Sequence, residues 1–317
     1  MSERPPESLL WDILRGALAT RALGIVAELG VGSALDSGPR PVAGLAEELG
    51  ADPDTLHRIL RALASDGVFA EETPGVFAHT AASEALGRDG WDDYARLSGG
   101  VWYRAVGALE GTTQDAVFPA LFGTDFWSWL ADHPAERTMF DRSMEQGWER
   151  RVDRLAAVEW RGDELVVDVG GGNGSLLVEL LGRHAGLRGI VFDLPETSRD
   201  EAALGDRIEF VPGDFFESVP EGDVYVLSTI LHDWEDERAA EILHTIRTAA
   251  PDGARLLIIE AVLTPGNEPH GVKWLDLLLL TLLGGRERDA GEWRMLLSNA
   301  EFDSIQIGDG LIECRAH

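Results

Sequence analysis

One stretch limits the possible folds more than any other. Val167-Asp168-Val169-Gly170-Gly171-Gly172-Asn173-Gly174-Ser175 ends an apolar run that begins at Leu165, and a helical pattern follows. Glycines at a strand-to-helix turn let the backbone approach a ligand closely, at a helix N-terminus whose N–H groups lack partners. The same rhythm then repeats. Strands are expected over residues 165–169, 189–193, 208–211, 223–228 and 255–262, with helices between them. Such alternation predicts an α/β fold with a doubly wound, largely parallel sheet. Two last runs, 304–307 and 311–315, flank Gly308-Asp309-Gly310 and read as a terminal hairpin that places an antiparallel strand in the sheet.

The turn does not suit a dinucleotide. The spacing G-x-G-x-x-G would need glycine where Ser175 stands. Gly170, Gly172 and Gly174 with Asp168 upstream better fit a ligand without phosphate, since that carboxylate can attract the cationic amino-acid end of S-adenosylmethionine. Asp193 closes the second strand in Phe192-Asp193-Leu194-Pro195, where it can accept bonds from ribose hydroxyls. Asp214 closes the third in Gly213-Asp214-Phe215-Phe216, where acid and ring can meet adenine. Any one of these acids could simply cap its turn. Three at successive strand ends point to a nucleoside site.

The fourth strand runs through Ser228 to His232-Asp233-Trp234, which places His232 just past the carboxyl end of a central strand. A lone histidine there is commonly a packing or capping residue. Glu260 at the end of the fifth strand and Glu287 in Gly284-Gly285-Arg286-Glu287-Arg288 change that reading. Methyl transfer from a sulfonium needs alignment and removal of the acceptor's proton. A phenol with a pKa near 10 is a poor nucleophile at neutral pH, and imidazole near 6.5 is a usable base that a carboxylate can orient. His232 is the expected base, with Glu260 and Glu287 orienting it.

Upstream, residues 8–30 have helical periodicity, with Leu9, Ile13, Ala17, Leu18, Ile25 and Leu29 on one broad stripe. After a Gly/Pro-rich break at 37–41, a helix over 42–49 ends at Gly50. Asp52 and Pro53 start another, and Gly67 closes it. Short strands at 68–70 and 76–78 follow, completing a winged-helix pattern. Residues 36–72 hold eight acidic side chains against Arg40, Arg58 and Arg61, which lacks the basic stripe of a DNA reader. Dimerisation is the favoured role, and a ligand-sensing DNA-binding protein is the rival reading. Segment 91–155 is helical and aromatic. Helical spacing puts Phe140, Met144 and Trp148 on one face, the first choice for ligand contact. Domains are expected at 1–90 (dimerisation), 91–155 (helical linker or substrate cap) and 156–317 (donor-binding, catalytic).

Charge and cysteine narrow the partners. With 27 basic against 56 acidic residues the net charge is −29, which repels phosphate backbones. Cys314 is the only cysteine, so no internal disulfide forms, and no cluster has zinc spacing. No apolar run reaches the roughly 20 residues of a membrane span. A cytoplasmic, metal-free protein is expected.

Together these motifs resemble the small-molecule O-methyltransferase family of plant caffeate and isoflavone enzymes and bacterial antibiotic-tailoring enzymes. The resemblance runs from the winged-helix module through Val167–Gly174, Phe192–Glu196, Gly213–Phe216 and His232–Trp234 to Gly284–Arg288. It implies a class I, Rossmann-like methyltransferase fold and a homodimer through the N-terminal module. It also implies S-adenosylmethionine held by Gly170, Asp193, Asp214 and Phe215, with S-adenosylhomocysteine as product, and a base at His232 supported by Glu260 and Glu287. Asp168, Gly172, Leu194 and Ser228 complete the expected donor site, Ser228 standing where the plant pattern has lysine. Asp233 and Asp276 join Phe140, Met144 and Trp148 as expected contacts of a small aromatic acceptor. Some bacterial relatives carry out hydroxylation, decarboxylation or pericyclic chemistry on the same fold. An intact His232 with both glutamates favours methyl transfer.

Overall fold

The computed structural model describes residues 5–88, 90–144, 148–195, 197, 201–308 and 310–316. The chain forms two compact units, Met1–Ala108 with Asp132–Gln146, and Leu109–Ala131 with Gly147–His317. The segment expected as a linker is helical but shared, residues 91–108 and 132–146 packing with the first unit and the rest with the second.

In the first unit, α1 (Pro6–Leu29) precedes β1 (Arg40–Pro41), α2 (Val42–Leu49), α3 (Pro53–Ser65), β2 (Phe69–Thr73) and β3 (Val76–His79). The Asp52 carboxylate caps α3 by accepting from Thr55 N at 2.8 Å, with Pro53 in the first turn. The strands form an antiparallel sheet in the order β1-β3-β2, so the Gly/Pro-rich break contributes a short strand that its composition concealed. Leu45, Leu56, Leu60, Phe69 and Phe77 form the buried core. The stripe expected on α1 divides. Val26 and Ala27 are buried and Leu29 packs on this core, whereas Leu9, Ile13 and Leu18 are more than half exposed, as are Leu10, Trp11 and Leu14. Among the described residues, nothing covers the first three turns of that face.

Further helices are α4 (Trp91–Gly99), α5 (Val117–Phe122), α6 (Phe126–Asp132), α7 (Pro134–Ser143) and α8 (Trp148–Ala156). The second unit then builds a seven-stranded sheet from β4 (Leu165–Val169), β5 (Arg188–Asp193), β6 (Ile208–Pro212), β7 (Val224–Ser228), β8 (Arg255–Ile259), β11 (Phe302–Gly308) and β12 (Leu311–Ala316). The order is β11-β12-β8-β7-β4-β5-β6, parallel from β8 to β6, with β12 antiparallel to β8. Alternate residues face opposite sides. Val166, Val224, Val226 and Leu257 pack with Leu155 of α8 and with Leu177 and Leu180 of α9 (Ser175–Arg183). Val167, Tyr225, Leu227 and Leu256 pack with Ile242 of α10 (Asp236–Ala249) and with Trp293 of α12 (Ala290–Asn299), which follows α11 (Val272–Leu282). Each fully buried aliphatic side chain contributes about 1.5–3 kcal/mol. The sheet is thus doubly wound, and its order reverses between β4 and β7, where open α/β sheets bind ligands at the strands' carboxyl ends.

One expected strand is shorter than its apolar run. Residues 255–262 break after Ile259, and β9 (Val262–Leu263) leaves the main sheet to pair in parallel with β10 (Arg288–Asp289). The break falls at the intervening Glu260, just past the last β7–β8 pair, Ser228 with Ile259. The Glu260 side chain serves backbone amides of the neighbouring turn instead of standing as a sheet residue. No helix among the described residues is long and apolar enough to cross a membrane.

Candidate active site

The glycine turn lies where the strand-to-helix pattern put it. Gly170 has φ 73°, and a Cβ there would stand 2.5 Å from Ile230 Cδ1 and 3.8 Å from Phe215 Cε1. Only glycine lets this backbone follow its path beneath those two side chains. A Cβ on Gly172 would meet nothing within 4 Å, so the top of the turn is open. Asp193 Oδ2 accepts from Gly172 N at 2.7 Å, and its Oδ1 accepts from Leu194 N and Thr197 Oγ1, each at 2.7 Å. The carboxylate thereby fixes the glycine turn to the end of β5. Asp214 Oδ1 accepts from Phe216 N at 2.8 Å, an Asx turn that sets Phe215 against Phe216 with 4.9 Å between ring centroids. Trp234 completes this aromatic group at 6.1 Å from Phe215. Ser228 ends β7 half-buried, and Leu194 is 37% exposed.

Asp168 lies beneath the turn, 2% exposed. Its Oδ2 has no hydrogen-bond partner among the described residues, and a Cβ on Gly171 would come within 2.7 Å of it. Burial, then the charge of Asp193, pushes its pKa up to about 7, with Arg151 of α8 partly opposing. An unpartnered buried carboxylate under a glycine cradle fits the cationic amino-acid end of a sulfonium donor. Arg151 itself feels both Asp168 and Glu260, and burial lowers its pKa. No pattern distinguishes Arg151 from its neighbour Arg150 in the sequence.

His232 sits in a single 3-10 turn, Leu231–Asp233, that follows the end of β7. Thr229, at φ 55°, makes the bend into it, a conformation costly for a β-branched residue. The bend points three amides at one oxygen: Glu260 Oε1 accepts from Ile230 N at 2.9 Å, Leu231 N at 2.9 Å and His232 N at 3.3 Å. Glu260 Oε2 lies 3.3 Å from His232 Nδ1, and Glu287 Oε1 lies 3.0 Å from the same nitrogen. Asp276 Oδ1 accepts from Glu287 N at 2.8 Å, so this expected acceptor contact holds the backbone that carries Glu287. Asp233 Oδ1 is 3.5 Å from Nε2 on the ring's other side.

Both glutamate side chains are fully buried, whereas the imidazole retains 12% exposure. Burial alone would lower the imidazole pKa. The carboxylates of Glu260, Asp233 and Glu287 outweigh it and push the value up to about 10. Burial raises the Asp233 carboxyl to about 7 despite the opposing charge of His232, and burial raises Glu260 as well. His232, Glu260 and Glu287 also lie close enough together to hold a metal ion. Nδ1 already has two carboxylate partners, so proton holding accounts for the cluster without one.

Of the expected acceptor face, Phe140 lies in α7 (Pro134–Ser143), Met144 is that helix's C-cap, and Trp148 is the first described residue of α8, residues 145–147 lying outside the described set. Ser143 Oγ donates to Phe140 O at 2.7 Å, and the backbone of Gly90 lies against Arg142 O so closely that a Cβ would clash. Phe140 is half-buried beside Trp102 at 6.5 Å, Met144 is 37% exposed, and the side chain of Trp148 lies outside the described set, as do Glu196 and Asp309. Among the other aromatics, Phe118 and Phe126 are core residues.

A doubly wound sheet with an antiparallel strand beside β8, a glycine turn and acids at successive strand ends defines a class I methyltransferase. Comparison with known proteins agrees. The O-methyltransferase domain matches residues 102–303, and the O-methyltransferase dimerisation domain matches residues 11–89. The phenazine O-methyltransferase of Lysobacter antibioticus is 38% identical over 313 residues, 94% of this chain and 91% of that protein. The structure of the mitomycin 7-O-methyltransferase superposes with a TM-score of 0.89 at 34% identity, covering 98% of each chain. An O-methyltransferase from neocarzinostatin biosynthesis, with S-adenosylhomocysteine and 1,4-dihydroxy-2-naphthoic acid bound, gives a TM-score of 0.81 at 32% identity, covering 94% of this chain and 96% of that one. The chain belongs to the O-methyltransferase family and uses S-adenosylmethionine.

Proposed function

We propose that this enzyme methylates a hydroxyl of a small aromatic natural product, with His232 as the general base. The observation that carries the reading is the state of His232 Nδ1. Two buried carboxylates hold that nitrogen, so once the ring is neutral its lone pair sits on Nε2, the atom facing away from them. S-adenosylmethionine, when bound, supplies an activated methyl group for in-line displacement by an oxygen nucleophile. Asp168 pairs with the donor's amino end and Asp193 with its ribose. Gly170, Gly172 and Leu194 provide the close backbone approach, Phe215 and Asp214 take the adenine, and Ser228 lies beside the donor. Nε2 accepts the phenol proton, and Glu260 and Glu287 stabilise the resulting imidazolium. In the free protein the ring holds a proton tightly, and the donor's positive charge favours its release.

The names of the relatives, which act on phenazine, mitomycin and naphthoate scaffolds, support a planar acceptor. Asp233 and Asp276 border His232 and Glu287, and Phe140, Met144 and Trp148 offer the aromatic and thioether surface that planar ligands favour. We also infer a homodimer formed through α1 and the winged-helix-like elements behind it. The dimerisation-domain match and the uncovered apolar turns of α1 support this. A single buried cysteine suits the reducing cytoplasm.

The test is incubation with S-adenosylmethionine and a panel of catechol, 4-nitrophenol and hydroxynaphthoic acids, read by mass. The expected result is one methyl group gained per product and an equal amount of S-adenosylhomocysteine. Hydroxylated or decarboxylated products, or donor consumption without methylated product, would overturn the reading.

A further inference from the structure

We propose that Arg288 is a positioning residue for the reaction, its buried guanidinium holding the turn that carries His232 by the carbonyls on either side of it. The inference rests on the reading of His232 as base. Arg288 is 0% exposed, unusual for a guanidinium, whose burial is costly unless its donors are paired. Nη1 donates to Leu231 O at 2.9 Å, Nη2 to Trp234 O at 2.8 Å, and Nε to Asp236 Oδ1 at 2.9 Å. The Trp293 ring lies 5.4 Å from the guanidinium carbon. The two carbonyls bracket His232 in sequence, and Asp236 begins the next helix, so one planar fork ties together both ends of the turn. Between those two carbonyls, His232 O accepts from Arg286 N at 2.9 Å, and Gly285 packs so closely there that a Cβ would meet backbone atoms of His232 and Asp233.

The turn is therefore clamped from two directions. Glu260 takes amides of Ile230, Leu231 and His232, and the segment Gly285–Arg288 takes the carbonyls of Leu231, His232 and Trp234. Because Glu287 immediately precedes Arg288, the strand that anchors the clamp also delivers an oxygen to Nδ1. Ring and partner consequently move together. Lysine cannot reproduce this, since one ammonium has no rigid fork to span two carbonyls and a carboxylate. A misplacement of about 1 Å can cost about 100-fold in rate, which is the effect the clamp prevents.

Arg288→Met keeps the stem and removes the fork. Donor affinity by calorimetry and acceptor KM are expected to stay within about threefold, while kcat falls by about 100-fold. In protein carrying 15N-labelled histidine rings, the His232 signals, identified by their loss in His232→Ala, are expected to shift or broaden. Methylguanidinium added to Arg288→Ala is expected to restore kcat by about tenfold. Unchanged kcat and unchanged His232 signals in Arg288→Met overturn the proposal, as does a loss confined to donor affinity. Should Arg288→Met lose its cooperative thermal transition, the surface variant Asp236→Asn takes over the test. It is expected to lower kcat about fivefold with donor binding intact, and an unchanged kcat overturns the proposal. Full turnover by His232→Ala, with ring signals still displaced in Arg288→Met, removes the base and leaves the clamp standing.

Discussion

Replacing Asp168 by asparagine should separate the donor's electrostatic anchor from its shape fit. The carboxyl is buried, lacks a hydrogen-bond partner on Oδ2 among the described residues, and has a pKa raised to about 7. Only its ionised form attracts a cationic amino group. With that pKa, about one tenth is ionised near pH 6 and about nine tenths near pH 8. If the donor binds only the ionised form, affinity rises about tenfold across that interval. The sign follows from the linkage: binding a cation releases the carboxyl's proton, so a higher pH favours the complex. The side-chain amide of the Asp168→Asn variant has no proton to lose, and the tenfold rise should vanish. Any slope that remains reports proton release from other groups of the site, Asp233 and His232 among them. Titration calorimetry with S-adenosylmethionine, repeated in buffers of different ionisation enthalpy, measures both affinity and proton release. An Asp168→Asn variant with the same pH dependence as the parent protein would refute the assignment.

Glu260→Ala leaves three amides without their buried acceptor, with Glu287 alone at the imidazole Nδ1, and should destabilise by about 3–5 kcal/mol. Glu260→Gln keeps an amide-accepting oxygen and should cost only about 1–2 kcal/mol in urea unfolding. Equal losses would count against the amide-capping role. Gly285→Ala drives a Cβ into His232 O and the Asp233 carbonyl. It should lower turnover by about tenfold or more while donor affinity is kept, and parental turnover would show that the turn can shift freely. Trp11→Glu places charge on the uncovered face of α1. Light scattering should report twice the 34.5 kDa chain mass for the parent and the single mass for the variant. An unchanged dimer would move the interface elsewhere.

Much of this site was legible because its signals are local. Asp168, Asp193 and Asp214 stand at or beside the ends of strands marked by their apolar runs, and Gly170 and Gly172, both at positive φ, announce a tight turn. What was hidden depends on distance along the chain. Glu260 was expected only to orient His232, yet most of its hydrogen bonding goes to amides some 28–30 residues away, and no periodicity encodes that. The strand expected to reach Val262 ends at Ile259, where its neighbour turns away at Thr229. Arg288 sat inside a recognised motif, but its complete burial follows from carbonyls contributed by another segment. The leading turns of α1 carry a regular stripe that no described residue of the chain covers, so periodicity gave the helix and left open what its face packs against.

Rates across a set of substituted phenols, in the parent enzyme and in His232→Ala, would bear most directly on proton abstraction at the imidazole. For phenols with pKa near 10 the variant should lose about 10²–10⁴-fold in kcat/KM, and for nitrophenols with pKa near 7, which arrive largely ionised, the loss should shrink to less than about tenfold. A loss of constant size across the series, or none at all, would contradict the assignment of His232 as the base.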